Sequence, residues 1–102
     1  MLSARARELA IKYPDRVPVH VRAVNGELQN KYLIPKDMVL SSFMVILRKK
    51  INVKAHEAIF VYIKNVLPPN TMMFGELYKQ FHDDKDGMIH MTWSRENTFG
   101  AT

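Results

Sequence analysis

The chain has 102 residues, no cysteine and a formal net charge of +5, with a pI near 9.6. That length makes one domain with room for a core; the missing cysteines exclude disulfides, thiolate metal sites and a cysteine nucleophile, and suit a reducing, intracellular compartment. No apolar run approaches the roughly 20 residues of a membrane span, the first residues lack the apolar core of a signal peptide, and the positive charge points to acidic partners without choosing among nucleic acid, anionic headgroups and acidic peptides.

Ser3 can cap a short helix in which Ala6, Leu9, Ala10 and Tyr13 recur at helical spacing, and Pro14 ends it. Val17, Val19, Val21 and Ala23 then alternate with Pro18, His20 and Arg22, and Asn25-Gly26 is a hairpin signal. The returning strand is expected from about Leu28 to Ile34, with Tyr32 and Ile34 on one face, Lys31 and Leu33 on the other, and Pro35 as its stop. From Ser42 to Ile51, Phe43, Ile46, Leu47 and Ile51 form one helical stripe, and Arg48, Lys49 and Lys50 bring cations to its C-terminal end. Ala58 to Ile63 is β-branched and aromatic with almost nothing polar, so it reads as a strand covered on both faces and lying mid-sheet.

Phe74, Leu77, Tyr78 and Phe81 mark another amphipathic helix. Asp86-Gly87 is a turn, and Ile89, Met91 and Trp93 share one face of a final strand. Beyond it a polar tail reaches Phe99-Gly100 with only Ala101 and Thr102 after it. The order helix, hairpin, helix, strand, helix, strand predicts an α+β fold. Its mixed four-stranded sheet would wrap a central crossover helix, with one short N-terminal helix besides: the β-grasp, or ubiquitin-like, arrangement. The expected parts are residues 1–13 as that helix packed on the sheet, 14–94 as the β-grasp domain, and 95–102 as a flexible tail.

Chemistry-bearing residues are sparse. None of His20, His56, His82 and His90 has a partner at ligand spacing along the chain, so neither a catalytic nor a metal site is expected. Asp84-Lys85-Asp86-Gly87 imitates part of a calcium loop, but the register that puts Gly87 sixth ends on Trp93 where a bidentate Glu is required. Arg48-Lys49-Lys50 and Lys54 read as a solvated helix end rather than a nucleic-acid grip.

Seven short motifs stand in one order: Tyr13-Pro14-Asp15-Arg16-Val17-Pro18-Val19, Lys31-Tyr32-Leu33-Ile34-Pro35, Phe43 to Lys50, Glu57-Ala58-Ile59-Phe60, Leu67-Pro68-Pro69, Asp84-Lys85-Asp86-Gly87 and Glu96-Asn97-Thr98-Phe99-Gly100. Together they closely resemble the ubiquitin-like autophagy modifiers, relatives of microtubule-associated light chain and of GABA-receptor-associated protein. The resemblance implies a non-enzymatic protein, cytoplasmic and monomeric before conjugation. A cysteine protease would trim it at Thr98-Phe99-Gly100 to expose Gly100. E1-like and E2-like enzymes would then join it to phosphatidylethanolamine on autophagosomal membranes. No cofactor and no nucleic acid are implied beyond that covalent lipid, which anchors the protein to the membrane. Cargo receptors with an aromatic-x-x-aliphatic motif would dock in two pockets. The first is lined by Leu9, Pro18, His20, Lys31, Leu33 and Met88, and the second by Tyr32, Ile34, Pro35, Phe43, Ile46, Leu47 and Lys50.

The sequence departs from the family in ways that bear on the site. The family's further N-terminal helix is not expected here, Asn25-Gly26 replaces a longer loop, His20 stands where an aliphatic residue is usual, Met88 replaces a phenylalanine, and Arg5 falls where an acid is common. Val39 occupies a helix-capping position that usually bears a hydroxyl, so Ser41 or Ser42 is expected to cap the central helix instead. A second reading stays open: an unconjugated ubiquitin-like adaptor that uses the groove alone.

Overall fold

The computed structural model describes Glu8 and residues 11–26 and 29–95. Four strands, β1 (Arg16–Ala23), β2 (Asn30–Pro35), β3 (Phe60–Ile63) and β4 (Ile89–Ser94), alternate with two helices, α1 (Leu40–Lys50) and α2 (Phe74–Phe81), in the order β1-β2-α1-β3-α2-β4. Glu8, Ile11 and Lys12 are also helical and Tyr13 is not, while the other residues of the expected first helix and all of the tail except Arg95 lie outside the described residues. The sheet order is β2-β1-β4-β3. β1 pairs antiparallel with β2 and parallel with β4, and β3 pairs antiparallel with β4. This is the α+β mixed sheet expected from the sequence.

Side-chain alternation sends Val17, Val19 and Val21 of β1 and Ile89, Met91 and Trp93 of β4 to one buried face. They share a single core cluster with Leu40, Phe43 and Leu47 of α1 and Phe74 and Leu77 of α2. Three aromatic rings run through it edge to face: Tyr32 to Phe43 at 5.3 Å between centroids, and Phe43 to Phe74 at 5.5 Å. Edge-to-face packing of this kind adds to the gain from area burial. The antiparallel register is symmetric about Asn25-Gly26, and Gly26 takes a φ of 87° that only glycine adopts freely. Strand pairing nonetheless ends at Val21–Asn30, so β2 starts two residues later than expected.

Two expectations are corrected. Neither Ser41 nor Ser42 caps α1; the N-cap is Val39, with no side-chain hydrogen bond. The backbone of a neighbouring segment does the capping: Leu40 N–H donates to Met72 O at 2.9 Å and Ser41 N–H to Asn70 O at 2.8 Å. The arrangement is reciprocal, because Phe74 and Gly75 at the start of α2 donate to Met38 O and Lys36 O, both at 2.9 Å. Val39 and Met73, each extended and each an N-cap, form a bridge between the two helix starts. Four otherwise orphaned amides find partners without a hydroxyl.

The second correction concerns β3, which lies at an edge of the sheet and not in its middle. Val61, Tyr62 and Ile63 are all buried, so the apolar run correctly reported coverage of both faces; coverage of faces does not decide strand order. At the end of β3, Lys64 and Asn65 both adopt positive φ (51° and 63°), and Ile63 and Val66 exchange backbone hydrogen bonds in both directions. Farther along, Glu57 accepts from Lys54 N–H at 3.1 Å and from Arg95 Nη1 at 3.0 Å, which ties the loop before β3 to the end of β4. These hydrogen bonds, that to Lys54 foremost, hold the Glu57 carboxyl below the usual glutamate range.

Phe74 has no exposed surface and meets Phe43 edge to face. Phe74→Ala should therefore lower unfolding free energy by about 3–5 kcal/mol in urea titration, whereas Val45→Ala on the exposed face of α1 should change it by no more than about 0.5 kcal/mol.

Candidate functional site

The sheet has two outer strands, and they differ in availability. The edge of β3 is engaged at Ile63 by Val66. β2 has no strand beyond it among the described residues. Lys36 N–H donates to Asp15 O at 3.0 Å, extending the β1–β2 register past the strand ends. Hydrogen-bonded pairs alternate in an antiparallel ladder, so Val17–Ile34, Val19–Tyr32 and Val21–Asn30 are the bonded pairs. The backbone N–H and C=O of Lys31 and Leu33 consequently point away from β1, along the open edge. The same alternation accounts for Pro18 in an inner strand. Its missing N–H lies on the β4 side, one residue before that ladder begins at Val19–Ile89.

Each face at this edge carries residues from one of the two sets expected to form pockets. Pro18 is paired with Leu33 and His20 with Lys31, which puts all four on the face opposite the core. Met88 precedes β4 by one residue and shares the alternation of His90, also on that face. On this side Pro18 is buried, His20, Leu33 and Met88 are half-buried and Lys31 is exposed. Leu9 lies outside the described residues.

On the other face Ile34, Phe43 and Leu47 are buried in the core. They can supply the floor of a pocket and not its opening. Tyr32 and Pro35 are half-buried, and Lys50 and Ile46, the latter 46% exposed, stand at the surface. The Tyr32 hydroxyl is buried with no hydrogen-bond partner among the described residues, and burial pushes its pKa up. A buried hydroxyl of this kind favours an arriving polar group. Thr98, Phe99 and Gly100 lie outside the described residues.

Two features escaped the sequence reading. Arg16 reaches along the edge, its Nη1 donating to Leu33 O at 3.2 Å; its position at the strand start carried no signal. His90 is the second. It is paired with His20 across β1 and β4, and its Nε2 lies 2.6 Å from Asp86 Oδ2. Burial alone would raise the Asp86 carboxyl, but hydrogen bonds from Met88 N–H and the His90 ring outweigh it and hold the group below the usual aspartate range. Gly87 beside it takes a φ of 72°, and the Tyr78 hydroxyl donates to Gly87 O at 2.8 Å, fixing the turn that delivers β4.

The β1–β2 register makes amide exchange along β2 alternate. Tyr32 and Ile34, bonded to β1, should show opening free energies of several kcal/mol, while Lys31 and Leu33 should exchange close to the rate of an unprotected peptide. Proton-exchange NMR of the free protein measures this directly.

The chain matches, over residues 3–100, the family profile described as autophagy protein Atg8, ubiquitin like. Among curated relatives it is 46% identical to autophagy-related protein 8c of Arabidopsis thaliana, over 96% of this chain and 83% of that protein. It is 38% identical to autophagy-related protein 8B of rice (Oryza sativa subsp. indica), over 95% and 85%. Among solved structures it resembles Trypanosoma brucei ATG8, with a TM-score of 0.81 at 30% identity over 89% of this chain and 82% of the other. Plasmodium falciparum Atg8, solved in complex with a Plasmodium falciparum Atg3 peptide, gives a TM-score of 0.79 at 28% identity over 91% and 86%.

Proposed function

The chain belongs to the Atg8 family of ubiquitin-like autophagy proteins, which are modifiers and not enzymes, and from that premise we propose that it is conjugated through Gly100 to phosphatidylethanolamine and recruits receptors by strand addition at β2. The observation that carries the docking half of this reading is the open edge of β2, where the backbone groups of Lys31 and Leu33 face outward. A peptide added there gains main-chain hydrogen bonds along its length. Its residues i and i+3 fall on opposite faces, so an aromatic-x-x-aliphatic motif sends one anchor to the Pro18, His20, Lys31, Leu33 and Met88 side. The other goes to the Tyr32, Ile34, Pro35, Ile46 and Lys50 side. Arg16 shares the Leu33 carbonyl with the incoming N–H, which two lone pairs permit.

Lys31 on the edge strand and Lys50 at the end of α1, both exposed, favour acidic residues around the motif, in keeping with the net charge of +5. Exposed pairs of this kind contribute about 0–1 kcal/mol each, so they tune preference and leave the anchors to supply affinity. The peptide of Atg3 bound to the Plasmodium relative supports a similar contact between this chain and its own E2-like enzyme. No described helix is long and apolar enough to cross a membrane. Stable membrane attachment on this reading comes from the two acyl chains of the conjugated lipid, since one chain binds only marginally. Residues 95–102 then act as a tether that leaves the β2 edge facing the cytosol.

Two experiments test the halves separately. Leu33→Ala should weaken a cognate aromatic-x-x-aliphatic peptide by about 2 kcal/mol, roughly thirtyfold, in calorimetric titration; unchanged affinity in both Leu33→Ala and Lys31→Ala removes β2 as the docking edge. Gly100→Ala should fold and bind that peptide normally yet stay cytosolic in membrane flotation from starved cells, while a chain ending at Gly100 should still float. Flotation of Gly100→Ala equal to wild type would instead establish the unconjugated adaptor.

A further inference from the structure

His20 and His90 lie on neighbouring strands, opposite one another in the parallel register, and their Nδ1 atoms are 3.2 Å apart. The rings meet edge to face, with centroids 5.3 Å apart. The partners of the other two ring nitrogens decide where the protons sit. Gln29 Nε2 donates to Gly26 O at 3.0 Å, so its Oε1 is the atom turned to His20 Nε2, at 3.1 Å. An amide oxygen only accepts, and His20 Nε2 must therefore carry hydrogen. Asp86 Oδ2 lies 2.6 Å from His90 Nε2, and a carboxylate ionised at neutral pH also only accepts. His90 Nε2 carries hydrogen as well.

With both rings neutral each has a single N–H, at Nε2, and two lone-pair nitrogens then face each other across 3.2 Å. That contact is repulsive unless a proton or a metal cation lies between them. We propose that His20 and His90 together bind a divalent cation of the zinc class through their Nδ1 atoms. Zinc–nitrogen bonds of about 2.0–2.1 Å in tetrahedral geometry place two ligand nitrogens about 3.3 Å apart, close to the separation found here. Imidazole nitrogens select late first-row cations over calcium or magnesium. The support behind the ligands also fits, since metal-bound histidines donate their second N–H to a carboxylate or carbonyl oxygen. Asp86 and Gln29 stand in those positions.

Asp83 joins Asp86 and His90 in a cluster whose potential ligand atoms lie within 4.8 Å of one another, which offers an alternative site on the turn. The turn itself uses those oxygens: Asp83 Oδ1 accepts from Lys85 N–H at 2.7 Å and Asp86 Oδ1 from Met88 N–H at 2.9 Å. At 2.6 Å, moreover, Asp86 and His90 Nε2 are at hydrogen-bond distance and too close to ligate one ion together. The geometry thus favours the Nδ1 pair, with Asp86 as a positioning residue. The His90 side chain is 42% exposed, so water can complete the coordination. The site is built by the β1–β4 register and needs no peptide at β2.

The test uses the full chain without an affinity tag and Zn²⁺ as the probe, followed by calorimetry and by ¹⁵N NMR of the histidine rings. Wild type should take up one equivalent, with the Nδ1 resonances of His20 and His90 moving and those of His56 and His82 unchanged. His20→Gln and His90→Gln, each confirmed folded by circular dichroism, should lose that equivalent. Asp86→Asn should weaken it by about ten- to a hundredfold, and Asp83→Asn should leave it intact. Failure of the wild-type Nδ1 resonances to respond to Zn²⁺, or their response to pH alone, would overturn the proposal in favour of a shared proton. Full binding by His20→Gln, or its loss in Asp83→Asn, would overturn it by moving the ion to the turn.

Discussion

The pairing of β1 with β4 is the contact on which the rest of this structure depends. It joins segments some 70 residues apart in the chain, and loop-closure entropy makes such a contact costly to form before burial compensates. The compensation is visible in the core face: Val19, Val21, Ile89 and Met91 are almost wholly withdrawn from water and share one cluster with both helices. With β4 on one side of β1, β2 is confined to the other side and becomes an outer strand. The open edge is thus a consequence of topology. Once that order is set, the pleat assigns every side chain of β1 and β2 either to the core or to the face where Pro18, His20, Lys31 and Leu33 assemble.

The helices are held in register with each other by backbone rather than by caps. Each N-terminus donates to carbonyls of the segment preceding the other helix, and the Val39–Met73 bridge lies between them. A hydroxyl cap is local and can be read from one or two residues; a reciprocal backbone cap exists only when two distant segments have already met. It permits the apolar residues Val39 and Met73 at positions that would otherwise cost roughly 1 kcal/mol each relative to a capping side chain. It also orients α1, so that Phe43 and Leu47 enter the core while Ile46 and Lys50 stay at the surface.

The two functional ideas occupy adjoining parts of one sheet face. His20 belongs both to the proposed first docking pocket and to the histidine pair. An ion held between the rings would place positive charge beside that pocket, where the family ordinarily has aliphatic surface, and so would affect which anchors the pocket accepts. Met88 in place of phenylalanine would also alter the proposed pocket, by replacing a rigid ring with a flexible thioether chain.

Much of the fold was legible from periodicity alone, because alternation and helical spacing are local properties of the chain. The face assignments of Lys31, Tyr32, Leu33 and Ile34, the Asn25-Gly26 centre of the hairpin and the Asp86-Gly87 turn all follow from residues within one element or one turn, and the order of the seven motifs identified the family. What tertiary structure alone decided is what depends on neighbours in space. β3 reads the same in sequence whether inner or outer, since its apolar run reports covered faces and not hydrogen-bonded sides. The capping of α1 by Asn70 and Met72 has no signature at Val39, Ser41 or Ser42. His20 and His90 each look solitary along the chain, and only the parallel register of β1 and β4 brings their ring nitrogens together.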